Sequence, residues 1–425
     1  MTLAHQPGTY RLGRIDQSFV PKEVAVTQVA ICAGEADVEL LSRAFALLCG
    51  RYPMLGGRIE FHDGDYHLSV PERGCGNAVV EILDSPVADW LDNGLRTIDP
   101  ALSLAKLEIV RDGATTAVAL RVAHAIADAH MGFALLEEFW RAAAALGATG
   151  PVPDPVPVFP RSLEDLLDER GVVVPEPALP ELSGLYSLTP TETAGRPGLR
   201  LAAGERIQLS ARDTGALLRY ARSQGTTMHA LLSAAIIRAE RRLIGETRGA
   251  ATISELPMII GHAVDLRPHL RPPAVPAEAT NGLGFAPTVT LCAPGTDLLT
   301  LGKEIKAQIV HGIASGAALS TMFAAVQLPD DGARAHTVNI ITNWGVVPDL
   351  ESPKGLRITD FRGFATGNSR PENSYFLYTF HGRLSIEFTF SEDHHHRSRI
   401  IALRDAIAEN LDLLIDATGI RRRYS

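Results

Sequence analysis

Hydrophobic and polar positions along the chain follow two periods, and the switches between them predict the elements. Residues 24–32 read Val-Ala-Val-Thr-Gln-Val-Ala-Ile-Cys, an apolar run of strand length. Residues 37–49 change to helical spacing, with apolar Val38, Leu41, Phe45 and Leu48; Gly50 and Pro53 lie just beyond as a stop. Residues 57–59 and 66–70 suggest a short hairpin. Residues 106–110 and 115–122 suggest two strands joined at Asp112-Gly113, a strong turn dipeptide. An amphipathic helix is expected over 132–146.

Periodicity then lapses. Pro151-Val-Pro-Asp-Pro-Val-Pro-Val-Phe-Pro160 can continue neither a helix nor a central strand and reads as an extended linker. A short helix capped by Ser162 is expected over 162–170, followed by a loose stretch over 175–204. Beyond it the pattern predicts strands at 207–209, 252–260, 285–291 and 336–342. Helices are expected at 213–224, 228–243, 297–312 and 398–416, and a hairpin of residues 375–381 and 384–390 turns around Gly382. The order is mixed rather than regularly alternating, which favours α+β layers over a doubly wound parallel sheet. The expected division is 1–150, a linker region 151–205, and 206–425.

Length changes the picture first: 425 residues exceed one compact core, so two domains are expected. A net charge of −9 argues against a nucleic-acid partner, and the terminal Arg421, Arg422 and Arg423 read as a solvated end. No apolar run reaches membrane-spanning length, and the first 16 residues lack a secretory apolar core. Cys32, Cys49, Cys75 and Cys292 have no metal-like spacing; the first two sit in apolar patterns as buried thiols. A reducing cytoplasm fits this usage.

The candidate chemistry lies at the end of the strand predicted over 115–122, in Arg121-Val-Ala-His124-Ala-Ile-Ala-Asp128-Ala-His130-Met-Gly132. A histidine leaving a strand end is held on one side and open on the other, a good place for a general base. Small residues at 123, 125, 127 and 129 leave room around it. His124, Asp128 and His130 are acceptable zinc ligands by type, but no second motif such as HExxH accompanies them, so no metal is expected. Asp393-His-His-His396 reads as a solvated turn. No GxSxG elbow or Walker loop is present.

His124-Ala-Ile-Ala-Asp128 resembles the HHxxxDG motif of the chloramphenicol-acetyltransferase-like superfamily, which includes peptide-synthetase condensation domains and plant HxxxD acyltransferases. Val264-Asp-Leu-Arg-Pro268 and Glu278-Ala-Thr-Asn281-Gly-Leu-Gly284 are similar to stretches of the polyketide-associated acyltransferases, the phthiocerol/phthiodiolone dimycocerosyl transferase group. Arg51-Tyr-Pro-Met-Leu55 resembles the end of the superfamily's first helix, and Asn343-Trp344-Gly345 its later loop. The chain departs from the motif at Ala123 and at Ala129, where the superfamily has glycine; alanine serves there only if φ stays negative.

The resemblance implies two related α+β domains with mixed sheets and an interdomain channel. It implies direct acyl transfer from a thioester, on coenzyme A or a carrier protein's phosphopantetheine, to a hydroxyl of a lipid, polyketide or sugar, with no bound cofactor and no acyl-enzyme. His124 is then the base. Asp128 is a structural residue paired with Arg267, although orientation of His124 by Asp128 stays open. Asn343 is a candidate oxyanion donor with the amides near Gly345, or simply a turn residue, and Trp344 a wall. The expected partners are the acyl donor and a small alcohol, for a cytoplasmic monomer. Amide-forming condensation is the alternative. So is a silent homologue that only binds a carrier protein, a reading that rests on Ala129.

Overall fold

The structure is a computed structural model describing residues 8–72, 75–148, 152–190, 201–247, 254–327 and 337–419. The three terminal arginines, and residues 252, 253 and 336 of two expected strands, lie outside the described residues. In chain order the strands are β1 Gly8–Arg11, β2 Ala25–Ala33, β3 Arg58–His62, β4 Asp65–Val70, β5 Val79–Asp84, β6 Ala105–Asp112, β7 Thr115–Ala123, β8 Leu201–Gln208, β9 Leu256–Asp265, β10 Leu283–Cys292, β11 Ile340–Val346, β12 Arg357–Thr366, β13 Ser374–Phe380 and β14 Arg383–Ser391.

Two compact units share the chain. The first takes Met1–Val173, Asp265–Leu283 and Val347–Asn368; the second takes Val174–Val264, Gly284–Val346 and Ser369–Ser425. The contiguous division into 1–150 and 206–425 therefore differs from the observed one. Two later segments return to the first unit because each completes something there: β12 pairs antiparallel with β2, and Arg267 supplies the charge that a buried aspartate needs.

The first unit is built on a five-stranded sheet of order β12-β2-β7-β6-β5, with a small β1-β4-β3 sheet beside it. β2, β6, β7 and β12 pair antiparallel, whereas β5 runs parallel to β6, so the sheet is mixed. β7 is central and buried on both faces, which is why its sequence is mostly apolar rather than alternating; the buried Arg121 within it is paired with Glu108. The β6–β7 turn falls at Asp112-Gly113, where Gly113 has φ +57°. Helix Val38–Arg51, capped by the Asp37 carboxylate on Leu40 N, packs against helix Ala129–Gly147. The proline-rich segment runs extended over the first unit: Val158 N donates to Arg51 O, and Pro155 lies against Gly50. Ser162 caps helix Leu163–Glu169 as expected.

The second unit has a six-stranded sheet of order β10-β9-β11-β13-β14-β8. β11 runs parallel to β9 and β13, while β14 is antiparallel to β13 and β8, so this sheet is mixed too. Helices Met228–Thr247 and Arg397–Ala417 cover a core that includes Leu231, Ile236, Met258, Ile260, Phe388 and Leu403. Inside it, the buried Glu240 carboxylate accepts hydrogen bonds from Tyr375 Oη (2.6 Å), Asn339 Nδ2 (2.8 Å) and Leu188 N (3.1 Å).

Several expectations are corrected. The helix expected from Gly132 begins at Ala129, because Asp128 is its N-cap. β8 starts six residues before the expected 207, pairing with β14 back to Leu201. β1, β5 and β12 were not foreseen. The Asp393-to-His396 cluster is not a solvated turn: His395 is wholly buried, with its Nε2 2.7 Å from the Pro371 carbonyl. Asn343 and Gly345 sit within β11 at a bulge rather than in a loop after it.

Candidate active site

The C-terminal end of β7 positions the site. Ala123 N donates to Leu104 O, and His124 N donates to Val24 O at 2.7 Å, so the backbone entering the turn is held from both neighbouring strands. Ala125, Ile126 and Ala127 are buried beneath. The His124 ring stacks on Phe19, with centroids 3.8 Å apart and planes within 11°. His124 stays partly open to solvent, but its Nδ1 is buried without a partner from another residue. Burial pushes the imidazole below the usual histidine range, while its own carbonyl, the Asp128 charge and Asn281 pull the other way and Lys22 adds to the lowering. A ring so placed is neutral at neutral pH, the state a base must have.

Asp128 does not touch the imidazole through any hydrogen bond in the structure; its four acceptor contacts point elsewhere. Oδ2 accepts from Arg267 Nη1 (2.7 Å) and Gly282 N (2.8 Å), and Oδ1 from Arg267 Nη2 (3.1 Å) and Met131 N (3.0 Å). The last is the helix cap, where an anion also meets the positive end of the helix dipole. Arg267 is 1% exposed and also reaches Asp265 Oδ1 (3.1 Å) and Ala279 O (2.9 Å). Burial alone would raise the Asp128 carboxyl; the charge and hydrogen bonds of Arg267 win and hold it below the usual carboxylate range. The pair is thus a two-pronged, dry ion pair tying the His124 turn to the segment that carries Arg267.

Ala129 is the first residue of the helix. The non-glycine residues with positive φ among those described are Glu23, Asp63 and His381, so Ala129 fits without strain. Gly132 sits where a Cβ would come 3.0 Å from Gln28 Nε2. His130 faces Asp265 at 3.7 Å rather than joining His124 and Asp128 in a metal-like cluster.

Asp16, which local sequence did not mark, and Thr280 and Asn281, which it marked only as part of a family-like stretch with no role assigned, complete the arrangement. Asp16, Thr280 and Asn281 are buried. Asn281 Nδ2 donates to Asp16 Oδ1 (2.7 Å) and to the His124 carbonyl (2.8 Å), and Thr280 Oγ1 lies 2.9 Å from Asp16 Oδ2 and 3.1 Å from the Arg161 carbonyl. Burial, with the nearby Glu164 charge, raises Asp16 well above the usual range, which favours the neutral acid. In that state it can donate to Thr280 while Thr280 donates to Arg161, and every proton has an acceptor.

In the second unit, the exposed Asn343 uses Oδ1 to accept from Gly345 N (3.0 Å), with Gly345 at φ +79°. Trp344 is 3% exposed and meets the Phe376 ring edge-on at 5.4 Å. Its position is that of a packed side chain.

The family described as Phthiocerol/phthiodiolone dimycocerosyl transferase C-terminus matches residues 199–389. The phthiocerol/phthiodiolone dimycocerosyl transferase of Mycobacterium tuberculosis is 28% identical over 398 residues, covering 89% of this chain and 91% of that protein. The Mycobacterium leprae protein of the same name is 28% identical over 409 residues. Among solved structures, polyketide synthase associated protein 5 from M. tuberculosis superposes with TM-score 0.73 at 25% identity, covering 93% of this chain and 96% of that one. The chain is thus similar over most of its length to these acyltransferases, and its fold is that of the condensation-domain-like superfamily. The first condensation domain of the calcium-dependent antibiotic synthetase shares the fold over 96% of this chain and 97% of its own, with TM-score 0.64 at 16% identity. A trichothecene 15-O-acetyltransferase from Fusarium sporotrichioides does so with TM-score 0.66 at 11%. Within the superfamily fold, the HxxxD turn of this chain is the segment just described at the end of β7. No described helix is long and apolar enough to cross a membrane.

Proposed function

We propose that this protein is an O-acyltransferase that moves an acyl group from a thioester, on coenzyme A or a carrier protein, to a hydroxyl of a lipid, polyketide or sugar. The observation that carries the reading is His124: a neutral imidazole, stacked on Phe19, anchored through its backbone to β2, with Nδ1 buried. That leaves Nε2 to take the acceptor proton. As the proton leaves, the acceptor oxygen attacks the thioester carbonyl. The tetrahedral intermediate collapses with loss of the C–S bond, and His124 returns the proton to the departing thiolate. Asn343 is proposed as an oxyanion donor through Nδ2, because its Oδ1 already accepts from Gly345 N. The relatives matched over 89% of this chain are, by name, dimycocerosyl transferases of phthiocerol and phthiodiolone, which supports an alcohol acceptor.

The test is a product screen in which purified protein meets a panel of acyl-CoAs and acyl carrier proteins with simple alcohols and amines. Ester formation that falls about 10²–10⁴-fold in His124→Ala supports the assignment. Full activity in that variant removes His124 from the mechanism, and amide products alone would redirect the reading to condensation.

A further inference from the structure

All four cysteines are free thiols, and two of them meet. Cys49, on helix Val38–Arg51, is wholly buried; Cys75, in the segment between β4 and β5, is half-buried. Their side chains share a hydrogen bond. The backbone keeps the two segments together. Asn77 N donates to Gly56 O at 2.9 Å, in the turn Pro53–Gly56 that follows the helix of Cys49, and Ala78 N donates to Cys75 O at 2.8 Å. At Gly56 a Cβ would come 2.5 Å from the Cys75 carbonyl, so the close approach depends on glycine. Cys32 and Cys292 are wholly buried and contact backbone carbonyls instead, at 3.8 Å to Ala30 O and 3.6 Å to Ala293 O.

The shared bond gives the two sulfurs different chemistry. Cys49 is pushed up by its bond to Cys75 and then by burial, so it keeps its proton and donates. Cys75 receives that bond and is held down to about 7, although partial burial opposes this. Cys32 and Cys292 are pushed up by burial to about 12 and about 11, which makes them inert. An accessible thiolate with a protonated thiol against it has both a nucleophile and a resolving group.

We propose that Cys49 and Cys75 form a reversible oxidation site for hydroperoxides, with Cys75 as the attacking sulfur and Cys49 as the resolving one. The Cys75 thiolate attacks the outer peroxide oxygen. The O–O bond breaks, the alkoxide leaves and takes a proton from solvent, and Cys75 becomes a sulfenic acid. Cys49 Sγ then attacks Cys75 Sγ. The S–O bond breaks, a disulfide forms, and the hydroxyl leaves as water with the Cys49 proton. Two thiols lose two electrons and one peroxide gains them. The new bond ties the segment of Cys75 to helix Val38–Arg51, which packs on the helix that Asp128 caps. In a reducing compartment such a bond is transient and serves sensing rather than architecture. Nothing in this rests on the acyl-transfer reading.

The test uses the full chain, reduced, freed of reductant and given a single equivalent of hydrogen peroxide near neutral pH. Remaining thiols are blocked with N-ethylmaleimide in denaturant, and peptides are mapped by mass spectrometry without reduction. The expected main product is a Cys49–Cys75 cross-linked peptide, lost on treatment with dithiothreitol, with Cys32 and Cys292 recovered as blocked thiols. Cys49→Ser should instead accumulate a sulfenic acid at Cys75 that dimedone traps. Cys75→Ser should consume peroxide at least about tenfold more slowly than the wild type, because the thiols left are buried. If either variant does not fold, the wild-type peptide map decides alone. Cys75 recovered as a free thiol overturns the proposal. So does Cys75 carried to sulfinic acid with no cross-link, or a cross-link between any other pair.

Discussion

Asp128 spends its whole acceptor capacity on structure: two bonds to one guanidinium, one to the next segment's backbone, one to a helix cap. Removing either member of the Asp128–Arg267 pair strands the other as an unpaired buried charge. Asp128→Ala and Arg267→Ala are each expected to cost roughly 3–5 kcal/mol in chemical denaturation. The double variant should cost less than their sum; additive losses would mean the two act separately. Asp16 gives the opposite signature. Its folded pKa is raised above the unfolded one, so its contribution is intact below the unfolded value and is lost as pH rises through the folded one. Asp16→Asn mimics the neutral acid, with an amide placed to donate to Thr280. Thermal melts from pH 4 to 8 should find that the variant gains on the wild type as pH rises. A parallel pair of curves would show that Asp16 ionises normally. The HxxxD turn was legible because an apolar run ends directly at His124. The roles of Phe19, Asp16 and Asn281 were not: Phe19 and Asn281 meet the histidine across the fold, the latter from 157 residues away, and Asp16 touches Asn281 rather than the histidine.

Among the elements, those with strong local signals were read nearly to their ends. β2, β6, β7 and helix Val38–Arg51 differ from expectation by one or two residues, as do Leu298–Ala314 and Arg397–Ala417. The misses have specific causes. β12 carries a bulge between Ile358 and Asp360, which breaks its two-residue alternation. β5, Val-Val-Glu-Ile-Leu-Asp, is an edge strand whose residues are all at least partly exposed, and its apolar and polar positions do not alternate. Ala129-His-Met-Gly132 reads as a loop until Asp128 is seen to cap it. One glycine illustrates what spacing cannot show. At Gly282 a Cβ would lie 2.6 Å from Arg267 Nη1 and 2.7 Å from its Cγ, and that side chain is pinned at both ends. Gly282→Ala is therefore expected to cost about 1–3 kcal/mol as an overpacking change. Because the strain falls on Arg267, the loss should shrink in an Arg267→Ala background; equal losses in both backgrounds would argue that the glycine serves some other purpose.

For the whole molecule, histidine burial sets the acid limit. His229 and His395 are pushed down to about 4 by burial, and His262 well below its usual value. Their folded pKa values lie below the unfolded one near 6.5, so the stability they contribute is present above that value and is lost as pH falls from there through about 4. For His395 the span corresponds to roughly 3 kcal/mol. Urea midpoints should decline steadily over that window, and His395→Gln, which keeps a donor for the Pro371 carbonyl, should flatten part of the slope. A midpoint independent of pH there would contradict the burial. At the same scale, direct transfer requires donor and acceptor to be bound together. Initial-rate patterns should intersect as for a ternary complex, and donor alone should leave the intact mass unchanged; a stoichiometric acyl adduct would point to a covalent route.

The return of β12 and of the Arg267 segment to the first unit bears on how the chain is made. A ribosome delivers residues in order, and a nascent chain of 173 residues has β2 with no partner on its outer edge and Asp128 with no counter-charge. The first unit cannot close until Thr366 has left the exit tunnel, by which time most of the second unit has been synthesised. Completion of the half that carries His124 is thus postponed until late in synthesis, and a gene cut at the proline-rich segment should yield an N-terminal product that chaperones retain or proteases clear.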